Sequence, residues 1–402
     1  MSCPGRIHLL RSLQIRSGYR KRWSEPARPR CIRKFDPSYA SLQNSREHAM
    51  TQTAFKALLV LLLLLLLGFS AFAQQTADIG VLHVRGPIYM LVGAGGNITV
   101  SAGPDGVLMV DSGVAQMSEK VLAAIRQLQM DVNTNGVAEW KYAAETRSNV
   151  PRLRDTNPKP KPIRYIINTH VHPDHTGGNE KIAAAGATIT GGNVTGNIAD
   201  AGEGAAVIAH ENVLVRMSEP PKGQTPAPFG ALPTDTYHMD GMKLSHFMNG
   251  EGIQIIHIPN AHTDGDSLVY FRGSDVIAAG DLFVTTSYPV IDIERGGNVQ
   301  GVIDGLNRIL DLSIAEFRTE GGTMIVPGHG RLCDSADVAY YRDMVTIIRD
   351  RIQDMIKKGM TLEQVKAAKP TRDYDPRYGA TTGFWTTDMF IEAVYKSLSP
   401  KK

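Results

Sequence analysis

The chain has 402 residues, which is long enough for one large domain or two, and 21% of them are charged. The formal net charge of +3 is unevenly distributed, since residues 1–49 hold 11 of the 43 Lys and Arg but only 3 of the 40 acidic residues. Residues 74–402 contain 31 basic and 37 acidic residues, so this larger part of the chain is acidic. The composition therefore argues against nucleic-acid binding by the folded body.

The N-terminal region contains the pattern of a secretory signal peptide. Lys56 precedes an apolar run at residues 57–67, and Ala71-Phe-Ala73 provides a small-x-small cleavage pattern. The run is short for a membrane span, which needs about 20 residues. We therefore expect residues 50–73 to be removed, without stable membrane insertion, and the mature protein to be periplasmic or secreted. The alternative is an uncleaved signal anchor.

Because a signal peptide belongs at the true N-terminus, we expect Met50 to be the initiator and residues 1–49 to be an over-extended, disordered start. Cys3 and Cys31 precede the signal pattern, so Cys333 alone would remain after cleavage. Export permits disulfides, but one cysteine cannot form an internal bridge. No disulfide framework is predicted.

From residue 79 onward, short strand patterns alternate with helical patterns. Gly-rich turns separate four predicted strands, at 79–84, 88–92, 97–101 and 107–110. Apolar residues at helical spacing predict a helix at 118–128. Residues 131–162 are polar and Pro-rich and predict an inserted surface loop. The apolar strand 163–167 then leads directly into a cluster of histidines.

The second half repeats this scheme. Short apolar runs bounded by turn residues predict strands at 187–190, 243–247, 253–258, 267–271, 276–279 and 324–326. Apolar periodicity predicts helices at 299–317, 336–357 and 387–398. Thr361-Leu-Glu-Gln364 has the form of a capping box before a short helix that Pro370 ends. Strands followed by helices, twice over, predict an α+β fold with two facing sheets and outer helices.

A cluster of metal-ligand side chains follows strand 163–167. His170, His172, Asp174 and His175 lie within six positions, just before a Gly-Gly pair. Imidazole nitrogen suits zinc, and a carboxylate oxygen adds a hard donor with negative charge. Four such residues at a strand end predict a metal site rather than four unrelated core or surface side chains.

Three further ligand-type residues stand at the ends of later predicted strands. His262 follows strand 253–258, Asp281 follows strand 276–279, and His329 follows strand 324–326. Each lies beside Gly or Ala, and small neighbours let the backbone approach a crowded centre. Each signal is weak alone, but the recurrence of a strand ending in a ligand strengthens the prediction of one shared site.

These seven residues together resemble the metallo-β-lactamase-fold hydrolase superfamily. The resemblance covers about residues 79–330, and residues 331–402 are expected to form a helical extension packed on that domain. Asp111, in Val-Asp-Ser-Gly, matches the early structural aspartate of the superfamily. The resemblance implies an αβ/βα sandwich with the site at one edge of the facing sheets.

The resemblance also implies a centre of two metal ions per chain, zinc or another divalent metal. The implied ligands are His170, His172 and His262 for the first metal, Asp174, His175 and His329 for the second, and Asp281 as a bridge. Asp174 would also orient the nucleophile as a catalytic residue. Diiron redox relatives usually carry an acidic residue where His172 stands, so the resemblance favours hydrolysis over electron transfer.

The implied reaction is attack of hydroxide on a carbonyl of a small-molecule substrate. Zinc β-lactamases usually carry Cys or Ser where Asp281 stands, whereas Asp resembles glyoxalase II and lactonases. Export argues against glutathione thioesters and tRNA precursors, which are cytosolic. We therefore expect a small lactone, lactam or ester as substrate, with a true β-lactamase and a non-enzymatic metal- or ligand-binding protein as alternatives.

Residues near these motifs carry weaker predictions. His210 is expected to cap or pack at a helix start rather than to bind metal. The run from Thr263 to Ser267 could orient His262 or could serve turn chemistry alone. Phe283 and Tyr288 could line a pocket or belong to the core.

Overall fold

The computed structural model of the protein describes residues 78–135, 159–188, 204–244, 247–314 and 321–399. The predicted signal peptide, residues 1–49 and most of the predicted loop 131–162 lie outside these ranges. Among the helices of the described residues, none combines the length and the apolar character needed to cross a membrane.

Within the described ranges, the first sheet has seven strands that are hydrogen-bonded in chain order: β1 (Gly80–Arg85), β2 (Ile88–Val92), β3 (Ile98–Gly103), β4 (Gly106–Val110), β5 (Ile163–Ile167), β6 (Ala206–His210) and β7 (Asp235–Tyr237). Strands β1 to β4 pair antiparallel through tight turns. Strands β4 to β7 pair parallel, which requires longer crossover connections. The carboxyl ends of β4, β5 and β6 therefore meet at one edge.

The second sheet has the order β12-β11-β10-β9-β8 in the described part of the chain. Its strands are β8 (Gly241–Lys243), β9 (Ile253–Ile258), β10 (Asp266–Phe271), β11 (Val276–Ala278) and β12 (Met324–Val326). Strand β10 pairs antiparallel with both β9 and β11, and β12 pairs parallel with β11. Strands β9, β11 and β12 consequently run in one direction, and their carboxyl ends also share an edge.

The α-helices of the described residues are α1 (Ser118–Asn135), α2 (Pro173–Thr176), α3 (Asn179–Ala184), α4 (Glu211–Ser218), α5 (Val299–Leu312), α6 (Ser335–Lys357), α7 (Leu362–Ala368), α8 (Asp375–Tyr378) and α9 (Thr387–Leu398). Five of these helices begin with a side chain that caps the first turn. The Asp334 side chain accepts from two backbone N–H groups of α6. Thr361 and Gln364 form the predicted capping box at α7.

Alternating side chains divide the protein into layers. In β9, Ile253 and Ile255 face the first sheet, whereas Ile256 and Ile258 face the helices on the other side. The inner core includes Leu108 and other apolar residues of both sheets. Each fully buried Ile or Leu contributes about 1.5–3 kcal/mol to the stability of this core.

Helices cover the outer face of each sheet. Val121 and Ile125 of α1 pack against the first sheet. Leu306 of α5, Val345 of α6 and Val394 of α9 pack with residues of the second sheet. The order helix, sheet, sheet, helix confirms the predicted αβ/βα sandwich with additional C-terminal helices. The domain division after residue 330 stays a prediction, although the helices beyond it share a core with the second sheet.

Two of the predicted strands do not form as expected. The prediction at 243–247 was wrong, because β8 ends at Lys243 and a separate turn follows, with Asn249 and Gly250 both at positive φ. Ala187 and Thr188 belong to no strand, and the rest of the predicted strand 187–190 lies outside the described residues.

Some helix boundaries also differ, and several elements were missed. Helix α1 continues past the predicted end at 128, as far as Asn135. Helix α5 ends at Leu312 instead of continuing to 317, because the backbone of Ser313 is extended. Strands β6 and β7 and helix α3 were not predicted, and of helix α4 the sequence indicated only the start at His210.

Candidate metal centre

Four strands deliver the seven predicted ligands to one edge of the sandwich. The loop after β5 carries His170 and leads into α2, and His172 is the residue that precedes this short helix. His262 follows β9, Asp281 lies in a 3₁₀ turn after β11, and His329 follows β12. Because these strands end at shared edges, residues up to 159 positions apart in the chain become neighbours.

The seven side chains form two groups that share one carboxylate. The first group is His170, His172, His262 and Asp281, and the second group is Asp174, His175, His329 and Asp281. In each group, the candidate ligand atoms all lie within 4.8 Å of one another. The structure thus brings together all seven predicted residues, in the two sets that the resemblance implied.

Asp281 lies between the groups with one oxygen toward each. Its Oδ1 is 3.2 Å from His175 Nε2 and 3.4 Å from His329 Nε2. Its Oδ2 is 3.8 Å from His262 Nε2. A carboxylate in this position can bridge two cations, one on each oxygen.

Three buried atoms of the cluster have no hydrogen bond of regular geometry: His170 Nε2, His175 Nε2 and Asp281 Oδ1. His175 Nε2 and Asp281 Oδ1 face each other at 3.2 Å. A buried polar atom left unpaired costs about 1–3 kcal/mol, so such atoms are rare in native structures. Imidazole nitrogens and carboxylate oxygens are the donors that bind zinc in dinuclear hydrolytic centres. The residues therefore fit divalent metal ions, which would satisfy these atoms.

The opposite nitrogen of each buried imidazole is held by the surrounding protein. His175 Nδ1 lies 2.7 Å from Asp111 Oδ2, and His262 Nδ1 lies 2.6 Å from the Val290 carbonyl oxygen. His170 Nδ1 lies 3.0 Å from the Thr169 hydroxyl. Because Asp111 and the Val290 carbonyl can only accept, His175 and His262 carry hydrogen on Nδ1 and present Nε2 to the centre.

Asp111 ties the end of β4 to the loop after β5. It adopts φ 65°, a left-handed conformation that costs a non-Gly residue energy. Its Oδ1 accepts from the Thr169 backbone N–H at 2.7 Å, and its Oδ2 accepts from the Thr169 hydroxyl at 2.8 Å. The strained residue therefore fixes both the position of the loop and the orientation of His175.

Burial keeps two imidazoles of the first group, those of His170 and His262, uncharged. It lowers the pKa of His262 to about 4, with a further contribution from nearby His172. Burial, together with the neighbouring His175 and His262, also holds the pKa of His170 well below its ordinary value. Neutral imidazole is the form that binds metal, so these residues need not lose a proton first.

The carboxylates of the second group have the opposite effect on its imidazoles. Burial lowers the pKa of His329, but hydrogen bonds with Asp174 and Asp281 outweigh it and raise the pKa to about 9. Burial likewise opposes protonation of His175, yet Asp281 and Asp111 hold its pKa well above the ordinary value. In turn, His175 and His329 hold the pKa of Asp281 well below its usual range, against the effect of burial.

Glycines allow the backbone to approach the centre closely. A Cβ at Gly328 would lie 2.0 Å from Asp281 Oδ1, and one at Gly96 would lie 2.4 Å from His175 Cε1. Both distances are far below contact distance, so no larger residue fits at either position without a shift. Gly328 confirms the interpretation that small residues beside the ligands serve close packing.

Two members of the second group are the parts of the centre most open to solvent. The side chain of Asp174 is 34% exposed and that of His329 is 31% exposed. In contrast, His170, His175 and His262 are all buried. The centre is therefore most accessible on the side of Asp174 and His329.

The residues that carried weaker predictions lie in a helix cap, in a turn and in the core. His210 caps α4 by accepting from the Asn212 backbone N–H and is outside both groups, as predicted. Asp266 accepts from the backbone N–H and hydroxyl of Thr263, which is turn chemistry, and also from the backbone of His262, so it helps to hold that ligand as well. Phe283 and Tyr288 are buried in the core.

Sequence reasoning missed one residue of the site. Asp292 Oδ2 lies 2.9 Å from His172 Nε2, although the two residues are 120 positions apart. The sequence around Asp292 indicates only a local role, as the cap of the 3₁₀ turn Ile293–Arg295. Nothing in that pattern indicates a contact with a histidine.

Comparison with known proteins supports the family resemblance. The family model described as the metallo-beta-lactamase superfamily matches residues 91–329. A linear primary-alkylsulfatase from Pseudomonas sp. (strain ATCC 19151) is 22% identical over 310 residues, which cover 68% of this chain and 50% of the relative. The chain thus spans about half the length of this curated relative.

Alignment with a solved alkylsulfatase structure supports the fold, and a second alignment is weaker. A stereoselective inverting sec-alkylsulfatase from Pseudomonas sp. aligns with a TM-score of 0.50 and 17% identity, over 79% of this chain and 50% of that one. A metallo-beta-lactamase from Pontibacter korlensis aligns with a TM-score of 0.43 and 14% identity, over 67% of this chain and 99% of that one. Since the family model covers more than half of the sequence, the chain belongs to the metallo-beta-lactamase superfamily and is a hydrolase of that fold.

Proposed function

We propose that the protein is an exported dinuclear zinc hydrolase that cleaves a small lactone, lactam or ester. The observation that carries this proposal is the position of Asp281, whose two oxygens face the two ligand groups. The ligand types favour zinc, and other divalent metals would suit the same donors. When bound, two such ions lower the pKa of water and withdraw electron density from a substrate carbonyl.

The residues of the chain would divide the remaining tasks between them. His170 and His262, buried and neutral, close the inner side of the centre to water. Asp174 lies on the open side with Oδ2 3.1 Å from His329 Nε2. Burial raises the pKa of Asp174, but the hydrogen bond with His329 and the charges of His175 and His329 together outweigh burial and lower it. Asp174 therefore remains a carboxylate at neutral pH, able to orient the attacking water and accept its hydrogen bond.

The family relationship alone leaves the substrate open, so a panel must separate the candidates. Protein expressed from the whole sequence and loaded with Zn²⁺ would be assayed on a p-nitrophenyl ester, γ- and δ-lactones, and a chromogenic cephalosporin. We expect ester or lactone turnover that Asp174→Ala reduces by about 10²–10⁴-fold, the usual contribution of a positioned acid–base group. Asp304→Ala, which changes an exposed carboxylate on α5, serves as the control.

The other outcomes of this panel would contradict the proposal. Fast turnover of the cephalosporin, with slow turnover of esters and lactones, would identify a true β-lactamase. A protein that binds metal but is inert to the whole panel would be a non-enzymatic metal- or ligand-binding protein.

A sulfate ester is the second candidate substrate. The observation that favours it is the 22% identity with a linear primary-alkylsulfatase over 68% of this chain. Release of inorganic sulfate from a primary alkyl sulfate, measured beside the panel, tests this candidate. If the protein releases sulfate faster than it hydrolyses any carboxylic ester, the proposed substrate is a sulfate ester and not a carbonyl compound.

Export is a separate part of the proposal, supported by Lys56, the apolar run 57–67 and the Ala71-Phe-Ala73 pattern. Cell fractionation followed by N-terminal sequencing tests it. We expect a periplasmic or secreted protein that begins near Gln74. An intact protein in the membrane fraction would indicate an uncleaved anchor, and an intact protein in the cytoplasm would contradict export.

A further inference from the structure

An aspartate and an arginine lie directly behind the first group. Asp292 Oδ2 lies 2.9 Å from His172 Nε2 and accepts from Arg295 Nη1 at 2.7 Å. Asp292 Oδ1 accepts from the Arg295 backbone N–H at 3.1 Å. Both carboxylate oxygens are therefore engaged, so the orientation of Asp292 is fixed from two sides.

This contact determines which nitrogen His172 offers to the centre. A carboxylate only accepts hydrogen bonds, so the hydrogen of the neutral His172 ring lies on Nε2. Nδ1 is then the ring nitrogen whose lone pair can bind a metal ion. Nδ1 lies 2.8 Å from His262 Nε2, inside the first group. His172 thus differs from His175 and His262, which present Nε2.

The same segment also holds His262. The Val290 carbonyl accepts from the His262 ring at 2.6 Å, and the Asp292 backbone N–H donates to the His262 carbonyl at 2.9 Å. Residues 290–292 therefore orient two of the three imidazoles of the first group and touch none of the second group's imidazoles in the described hydrogen bonds.

Arg295 fastens this segment to the rest of the protein. Its Nη2 donates to Gln224 Oε1 at 2.5 Å, and its backbone carbonyl accepts from the Asp264 N–H at 2.9 Å. The Arg295 side chain is mostly buried. Its ion pair with Asp292 is therefore better shielded from solvent than a surface pair.

From these contacts we propose that Asp292, held by Arg295, is a positioning residue that makes His172 an Nδ1 ligand and sets the metal affinity of the first site alone. The inference rests on the proposed dinuclear function. Loss of a hydrogen-bond partner behind a metal ligand typically weakens metal binding by about 10–100-fold. The second group has its own partner, Asp111, and should be unaffected.

The test is a metal titration of full-length, metal-free protein with Zn²⁺ against a competing chelator, together with the visible spectrum of the Co²⁺ form. We expect Asp292→Ala to weaken one of two sites by about 10–100-fold and to change the Co²⁺ spectrum of that site only. Asp292→Asn keeps an acceptor oxygen without the charge and should fall between Asp292→Ala and the unaltered protein.

Asp373→Ala is the matched control, because Asp373 is also paired with an arginine, Arg351 at 2.7 Å, but its side chain contacts no candidate ligand in the described hydrogen bonds. It should leave both metal affinities unchanged. Thermal unfolding of the metal-free forms checks that Asp292→Ala and Asp373→Ala are comparably folded. If Asp292→Ala does not fold, Asp292→Asn alone decides.

The result separates failure of the inference from failure of the proposed function. Two sites in the unaltered protein, with unchanged affinities in both Asp292 variants, would overturn the inference alone. Equal weakening of both sites would also overturn it. Fewer than two sites in the unaltered protein would overturn the dinuclear proposal, and the inference with it.

Discussion

The two ligand groups share Asp281 but differ in chemistry and in exposure. The first contributes three imidazoles, and burial keeps His170 and His262 neutral. The second adds Asp174, and its His329 is held protonated by carboxylates and is 31% exposed. The comparison suggests a division of labour, with an inner group prepared to hold a metal firmly and an outer group that exchanges protons and admits substrate.

Removal of the shared residue should produce the largest effect. Asp281→Ala takes a ligand from both groups and removes the carboxylate that faces Nε2 of the buried His175. We expect both affinities for Zn²⁺ to fall by more than about 100-fold, beyond the cost of losing an indirect partner. Metal analysis by mass spectrometry after dialysis measures this effect, with Asp304→Ala as the control. Retention of two ions would show that Asp281 does not bridge.

Variants within single groups should separate the two sites. Asp174→Ala should lower the metal content from two ions to one, and His170→Ala should remove the other ion, because each changes a ligand of one group only. The Co²⁺ spectra of the two one-metal proteins should differ, since one site has three imidazoles and the other has two with a carboxylate. Loss of both ions from either variant would show that the groups do not bind independently.

The difference in protonation between the two groups predicts that the stability of the metal-free protein depends on pH. This effect should be smaller than those of the ligand substitutions. His329 has a pKa of about 9 in the folded, metal-free protein, against about 6.5 when unfolded. Its pairing with Asp174 and Asp281 therefore stabilises this form fully below about pH 6.5, and the contribution is lost as the pH rises through about 9. Thermal unfolding of metal-free protein and of His329→Asn across this range should show the difference between them shrinking. A constant difference would contradict the assigned protonation.

The number of protons released on metal binding is an independent measure of the difference in protonation between the two groups. At pH 7.5, occupation of the second group should release more protons than occupation of the first, because the pKa values of His329 and His175 are raised and those of His170 and His262 are lowered. Calorimetric titration in two buffers of different ionisation enthalpy gives the number of protons for each ion. Equal release at both sites would remove the proposed distinction.

The sequence predicted the elements that are bounded by strong local signals. Strands β2, β5, β9 and β12 and helix α9 have the predicted limits because their apolar runs end abruptly at turn or cap residues. The seven candidate ligands were also recognisable, since each stands at a strand end or within one short motif. Their convergence into two groups follows from strand direction, although metal binding itself stays a prediction.

The misses share a different physical cause. Strand β7 has the sequence Asp-Thr-Tyr, which lacks the apolar run that marks the equally short β12, and it pairs in parallel with β6. Asp292 was missed because its role depends on His172, which is remote in sequence, while its local pattern indicates only a turn cap. Contacts between distant loops determine the surroundings of the ligands, and a single sequence carries little information about them.

The central claim is that the seven side chains hold two metal ions with Asp281 between them. Anomalous diffraction at the zinc edge, from crystals of Zn²⁺-loaded protein, tests this most directly. Two peaks are expected, one ligated by His170, His172 and His262 and the other by Asp174, His175 and His329. A single peak, or peaks that leave Asp281 unbound, would contradict the account.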